Sequence, residues 1–305
     1  MMKGLASFIL RGHSQSILVV VGTAVLALVL PPMSILSGAA LALASLRNGS
    51  RYGLQVMLGA TLFVAALAYF SLGNVYFGLS FLGLLWLPLW VLTIILREMR
   101  SLSLVHIVAG GLGTISVVLV HLLVGDVTLW WRELLLTIFE PAMQSGAPLA
   151  DRASVETILA EIAQVMTGIV AAAIVINALL CIYLARAWQA ALFNPGGFSS
   201  EFRELRLGRG VALVSLGIIA VSLLPLGTVS QLADEIMIVV LALYVLQGLA
   251  LVHGIIAKRK MHVAWLVGVY LLAFFIMPQL VALIAVIGLI DSWLDFRHRV
   301  AEKTN

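Results

Sequence analysis

The order of apolar and polar positions divides the chain into long hydrophobic runs separated by short polar stretches. A helix crossing a ~30 Å hydrocarbon layer needs about 20 mostly apolar residues, because each adds 1.5 Å. Six runs meet that need as single spans: residues 54–72, 75–96, 102–124, 165–185, 211–226 and 236–257. Two others, 17–46 and 263–290, are too long for one upright span and short for two. Pro31-Pro32 interrupts the first and Pro278 the second. Proline removes a backbone donor and its ring collides with the preceding turn, so both runs are expected to break near the middle. Each reads as a broken helical pair that returns to its starting side, or as a steeply bent re-entrant element. The expected fold class is all-α: a polytopic transmembrane helical bundle, one domain over residues 1–305. Six full spans and two broken runs amount to about 8–10 helical segments.

Charge placement tests the two returns, because cytoplasmic loops carry the excess of Lys and Arg. If both broken runs return and the six others cross, the N-terminus, the Arg47/Arg51 and Arg97/Arg100 loops, loop 186–209, Lys258-Arg259-Lys260 and the tail share one side. Sixteen of the eighteen basic residues then lie together, with only Arg132 and Arg152 opposite. Eight of the fourteen acids lie with those two: Asp126, Glu133, Glu140, Asp151, Glu156, Glu161, Asp234 and Glu235. One crossing by either broken run would undo this separation for everything beyond it. The expectation is a multi-pass protein of a bacterial inner (cytoplasmic) membrane with both termini cytoplasmic.

The sizeable segment on the opposite side is the amphipathic stretch 125–164. Its first part, Thr128 to Phe139, is helical in pattern, with Leu129, Trp130, Leu134 and Ile138 to one side. Trp130 and Trp131 have the apolar body and polar N–H that suit a headgroup interface. A Gln144-Ser145-Gly146-Ala147-Pro148 turn follows, and a second helix starts at Asp151 or Ser154, either of which can cap it. The segment reads as a linker on the membrane surface or, more sharply, as a lid over an outward-facing cavity.

Composition agrees with lipid as the solvent. The chain is 62% hydrophobic and 10% charged, with mean hydropathy +1.13, against about 25% charged in soluble domains. Membrane orientation accounts for the net charge of +4, so nucleic-acid binding is not expected. The single cysteine, Cys181, excludes an internal disulfide and a cysteine metal cluster. Run 17–46 far exceeds the ~7–15-residue core of a signal peptide and reads as mature structure.

The search for chemistry returns little. No Asp, Glu, Lys or Arg falls in the middle of an expected span, so a carboxylate relay has no obvious seat. His106 and His121 share one span about 22 Å apart, too far to share a metal. With His253 they read as interface histidines, and His13, His262 and His298 as loop or helix-end residues. No HExxH, GxSxG, P-loop or CxxC pattern occurs. No catalytic, metal or cofactor site is expected, and no enzymatic activity.

Uncharged polar groups remain. Asn177 and Gln247 fall near span centres, and Gln279 follows Pro278. Such side chains ordinarily bond a neighbouring helix. Broken helices, however, expose backbone groups tolerated only beside protein or a water-filled cavity, and in transporters they mark substrate sites. Pro31, Pro32, Asn177, Gln247, Pro278 and Gln279 are therefore the candidate cavity residues. Gly38 with Ala42, Ala40 with Ala44, and Ala109 with Gly113 have small-xxx-small spacing, suited to close packing inside the bundle or to receiving a subunit.

Loop 186–209 has an unusually specific texture. Arg186, Trp188 and Phe193 suit a helix running out along the interface. Asn194-Pro195-Gly196-Gly197 is a strong turn signal, and Phe198, Glu201, Phe202 and Arg203 begin a charged amphipathic element. With Asp291, Asp295 and Arg297 of the tail they form a candidate surface for docking a cytoplasmic partner. The Asn194–Phe198 stretch, Glu201-Phe202-Arg203 and the run from Gly288 to Arg297 resemble a YybS-like family of bacterial predicted membrane proteins of unknown function, over nearly the whole chain. Such proteins look distantly similar to substrate-binding components of energy-coupling-factor transporters. That similarity implies an outward-facing small-molecule pocket and a separate energising module docked on an AxxxA face, whose spacing Ala40 and Ala44 match. The chain has more apolar segments than the six helices usual there. Two functions follow: a transport-related, solute-binding or permease-like bundle energised by a partner, or a scaffold recruiting a cytoplasmic partner through loop 186–209 and the tail.

Overall fold

A computed structural model describes residues 2–144 and 151–299, and all regular structure among them is helical. Five helices are long and apolar enough to cross a membrane: α4 (Ser50–Leu72), α5 (Tyr76–Met99), α6 (Leu102–Val124), α9 (Met166–Phe193) and α12 (Thr228–Lys258). The pair α10 (Gly197–Arg203) and α11 (Gly208–Ser222), which meet at 50°, makes a sixth if the two form one bent span. The six expected spans all have counterparts. The fifth is shorter than expected, ending at Ser222, because Pro225 cannot donate to a continuing helix and disfavours helical geometry at the residue before it.

The first broken run is a hairpin. After the short α1 (Met2–Ile9), α2 (His13–Leu26) and α3 (Met33–Asn48) are joined by turns around Pro31-Pro32. His13 Nε2, at the start of α2, lies 2.9 Å from Gln55 Oε1, just past the end of α3. Ser37 Oγ donates to Val20 O at 2.9 Å between the arms. The run therefore returns to its starting side. Its arms, roughly 21 and 24 Å long, fall short of a full crossing.

The second broken run returns as well. α13 (Ala264–Phe275) and α14 (Met277–Leu294) meet at Ile276, whose φ of −123° and ψ of 48° leave the helix. α14 then descends beside α12 in the same direction: Gln247 Nε2 donates to Gly288 O at 2.6 Å, and Lys258 Nζ to Arg297 O at 2.9 Å. A Cβ at Gly248 would stand 2.7 Å from Ile284 Cγ2, and one at Gly288 would stand 2.9 Å from Gly248 N. These glycines let the two backbones nearly touch.

α5 is continuous but carries a π-helical turn, Leu82–Trp86. Pro88 lies two residues beyond. Its ring would collide with the Leu84 carbonyl in a regular helix, and a widened turn relieves that clash. At the centre, α9 and α12 each bury half of their most apolar window inside the bundle. Residues 37–46 of α3 are all buried, Ala40 and Ala44 fully. The AxxxA face is therefore occupied by the chain's own helices.

One end of the bundle gathers Arg47, Arg97, Arg186, Arg206, Lys258 and Arg297, and is called the basic end below. At the acidic end lie α7 (Val127–Gln144) and α8 (Arg152–Ala163), packed through Leu135, Leu159 and Ala163. α7 covers the expected amphipathic helix. The cap of α8 is Asp151, whose carboxylate accepts from Ser154 N at 3.2 Å. The expected turn at Ser145-Gly146-Ala147-Pro148 lies outside the described residues.

Candidate functional site

The first proline break meets α5 and α9 at an apolar crevice of about 360 Å³. Phe77, Phe81 and Leu84 of α5, the last within the π-helical turn, face Val170, Ala173 and Ile174 of α9 across it. Its polar edge is Asn177, about 16 Å along α9 from the acidic-end start and hence near mid-depth. Asn177 Nδ2 donates to Ser34 Oγ at 2.9 Å, and Ser34 Oγ donates to Pro31 O at 2.8 Å. Cys181 Sγ lies 3.4 Å from Asn177 Oδ1. This edge carries no charge, and the amide and hydroxyl keep bonding capacity beyond these contacts.

The remaining candidate cavity residues lie elsewhere. Pro31 and Pro32 are exposed at the hairpin tip. Gln247 is fully buried where α11, α12 and α14 meet: its Oε1 accepts from Leu207 N at 2.9 Å, and its Nε2 donates to Gly288 O and, at 3.2 Å, to Ser292 Oγ. Gln279 is exposed, and the Pro278 side chain lies outside the described set. Of the first broken run, Ser34, just past the prolines, is what lines the crevice with Asn177, whereas Gln247 is a packing residue whose amide is already used.

At the basic end, most candidate docking side chains are engaged by the chain itself. Arg186 Nε donates to Glu201 Oε2 at 3.1 Å, with a second bond to Oε1. Trp188 is buried. Phe198 and Phe202 pack on Tyr183, and Phe202 also meets His253 edge-on. Arg206 forks onto Asp295, one arm at 2.7 Å. Arg297 donates to Arg203 O at 2.7 Å and Leu205 O at 2.9 Å, and stands 3.4 Å from the buried Asp291 carboxylate. Burial draws the Arg297 guanidinium below its ordinary pKa, while Asp291 opposes that shift. The exposed remainder is the tip Phe193, Asn194, Pro195 and Gly196, together with Arg203. Arg47 lies over the Phe193 ring at 4.2 Å. Arg97, Arg100 and Arg186 with Glu98 and Glu201 border a polar cavity of about 550 Å³ at this end.

The histidines divide. His106 is fully buried; its Nδ1 donates to Leu102 O at 2.7 Å, so its Nε2 accepts from the Tyr183 hydroxyl. It is a core residue rather than an interface one. His253 lies 2.8 Å by Nδ1 from Leu249 O. His121 stands 2.6 Å by Nε2 from Glu235 Oε2, and the Glu235 side chain is fully buried.

The pattern of apolar runs leaves Glu235 just before the span 236–257, on the acidic side, and the structure instead buries it within a helix. α12 begins at Thr228, eight residues before the apolar stretch, and carries Glu235 inward beneath α7. Asp234, its neighbour, is half-buried. The signal was periodicity: Glu235 lies four residues before Val239 and seven before Ala242, on the buried face of the same helix.

A family model described as "Predicted membrane protein (DUF2232)" matches residues 16–292, and the chain belongs to that family. No curated protein and no solved structure matches it.

Proposed function

We propose, taking membership of that membrane-protein family as the premise, that the chain is a transport-related inner-membrane bundle, solute-binding or permease-like. It binds an amphipathic solute in the crevice between α3, α5 and α9. The observation that carries this reading is the pairing of an open apolar crevice of about 360 Å³ with an uncharged polar edge at Asn177 and Ser34. Small-molecule sites are mostly apolar and oriented by a few polar groups. The fitting solute has an apolar body and one neutral hydroxyl, carbonyl or amide group. A proline-broken hairpin and a π-helical turn border the same chamber, both recurrent features of functional sites in helices.

Native mass spectrometry of protein released from membranes in mild detergent tests this directly. The expected result is a bound small molecule that is lost from Ala173→Trp, which fills the chamber, and weakened in Asn177→Leu. A protein free of ligand, or ligand retained by folded Ala173→Trp, overturns it. The basic end is assigned to the cytoplasm, with both termini there, on the separation of bases from acids and the return of both hairpins. Reporter fusions at the two termini should agree on a cytoplasmic location.

A second reading, recruitment of a cytoplasmic partner that energises or is scaffolded by the bundle, rests on the exposed tip Phe193, Asn194, Pro195 and Gly196. Cross-linking from a cysteine at Asn194 should then capture one cytoplasmic protein, and capture should fail after Phe193→Ser.

A further inference from the structure

We propose that His121 and Glu235 form a proton-binding site at the acidic end of the bundle, covered by α7. The two side chains come from α6 and α12 and meet at 2.6 Å, with Glu235 fully shielded from solvent. One carboxylate oxygen faces the imidazole, and the other, Oε1, is buried, with the Thr167 hydroxyl turned toward this carboxyl. A single proton held between the groups leaves the pair without net charge, whether Nε2–H donates to an ionised carboxylate or the carboxyl donates to a neutral ring. A second proton from the acidic-end solution has a place on Oε1, giving an imidazolium beside a neutral carboxyl.

The surroundings provide an entry route without a competing counter-ion at the pair. α9 presents Thr167, turned toward the same carboxyl, and Gly168, whose absent side chain lets the Glu235 backbone come close: a Cβ there would stand 2.6 Å from Glu235 O. α7 presents Trp131, whose Nε1 donates to Thr167 Oγ1 at 2.8 Å, and Thr128, whose Oγ1 accepts from Gln231 Nε2 of α12 at 2.8 Å. Asp234 precedes Glu235 in sequence and is half-buried, Asp126 accepts from Leu129 N at the start of α7, and Glu161 on α8 is exposed. On α7, Arg132 and Glu133 are exposed. Two neutral hydrogen bonds, Trp131 to Thr167 and Gln231 to Thr128, tie α7 to the helices that carry the pair, and the His121 side chain keeps a small exposed area. The pair also supplies a carboxylate buried inside the bundle, which the expected spans lacked. It stands independently of whether the crevice binds solute, since its test needs none.

Infrared difference spectra of the full chain in lipid nanodiscs, taken between about pH 8 and about pH 5, where an imidazole–carboxyl pair exchanges protons, read the site directly. The expected result is a protonated-carboxyl band that grows as pH falls and is missing from Glu235→Gln. In His121→Gln the same band should appear at higher pH, by about one unit or more, because the imidazolium favouring the ionised carboxylate is gone. Identical difference spectra for the unaltered chain and folded Glu235→Gln overturn the proposal. Should Glu235→Gln fail to fold, an unmoved band midpoint in His121→Gln overturns it equally.

Discussion

At the basic end, Arg206, Lys258 and Arg297 tie loop 203–207, α12 and the tail together with a carboxylate fork and three bonds to backbone carbonyls. At the acidic end, α7 is tied to α9 and α12 by neutral bonds, Trp131 to Thr167 and Gln231 to Thr128, and its charged bond, Glu140 with Arg152 of α8, is exposed. Charge-assisted, bidentate bonds are about twice as strong as neutral ones and fix geometry as well. Segments with few such ties open locally at a fraction of the global unfolding free energy. The contrast teaches where this bundle can move: the basic end holds register, and the acidic end is the side from which its interior can be reached.

The largest effect should come from removing Arg297. Its loss strands Asp291 as a buried, unpaired charge, which costs about 3–5 kcal/mol, so Arg297→Ala should unfold at markedly lower temperature in detergent. Burial costs this guanidinium more than Asp291 returns, as the direction of its shift shows. The double change Arg297→Met with Asp291→Leu should accordingly recover most of the stability. Equal destabilisation of both variants would break the claim that charge pairing, rather than side-chain volume, sets the cost.

Gln247→Leu should come next, at about 1–3 kcal/mol, because the Leu207 N–H and Gly288 carbonyl lose a buried partner. The loss should appear as global unfolding. Trp131→Phe should cost least, about 1 kcal/mol for one neutral hydrogen bond, and should appear differently. Hydrogen exchange should quicken in α7 and α8 while α12 and α14 stay protected. Uniform acceleration across all four helices would mean that the two ends are coupled after all.

Much of this architecture is legible in the sequence, for stated reasons. Lipid demands long apolar helices, so the spans appear as runs, and prolines at 31, 32 and 278 mark where two of them turn back. The return itself was readable because one bilayer orientation must serve every loop. The site was less legible. Asn177 stood out as a polar residue at mid-depth, and the structure gives it Ser34 beside the first break. Gln247 carried the same signature and is instead a buried packing residue, because polarity at depth does not reveal whether a neighbour already satisfies it. Glu235 was hidden for the opposite reason. Helix α12 outruns its apolar stretch by two turns, and hydropathy alone assigns those turns to water. In the docking surface read from loop 186–209 and the tail, Arg186, Trp188, Phe202 and Arg297 mostly grip their own chain.

The widened turn in α5 has a rotational consequence. Residues five apart on a regular helix project roughly 140° away from one another, yet the rings of Phe81 and Trp86 touch at a centroid separation of 5.4 Å. One extra residue has been absorbed, shifting the phase of the two halves by roughly 100°. The inner half keeps Leu89, Leu92 and Leu96 locked into the core, while the outer half is free to aim Phe77 and Phe81 across the chamber. Excising Gly83 would wind the helix back into phase and swing those two rings off the chamber wall.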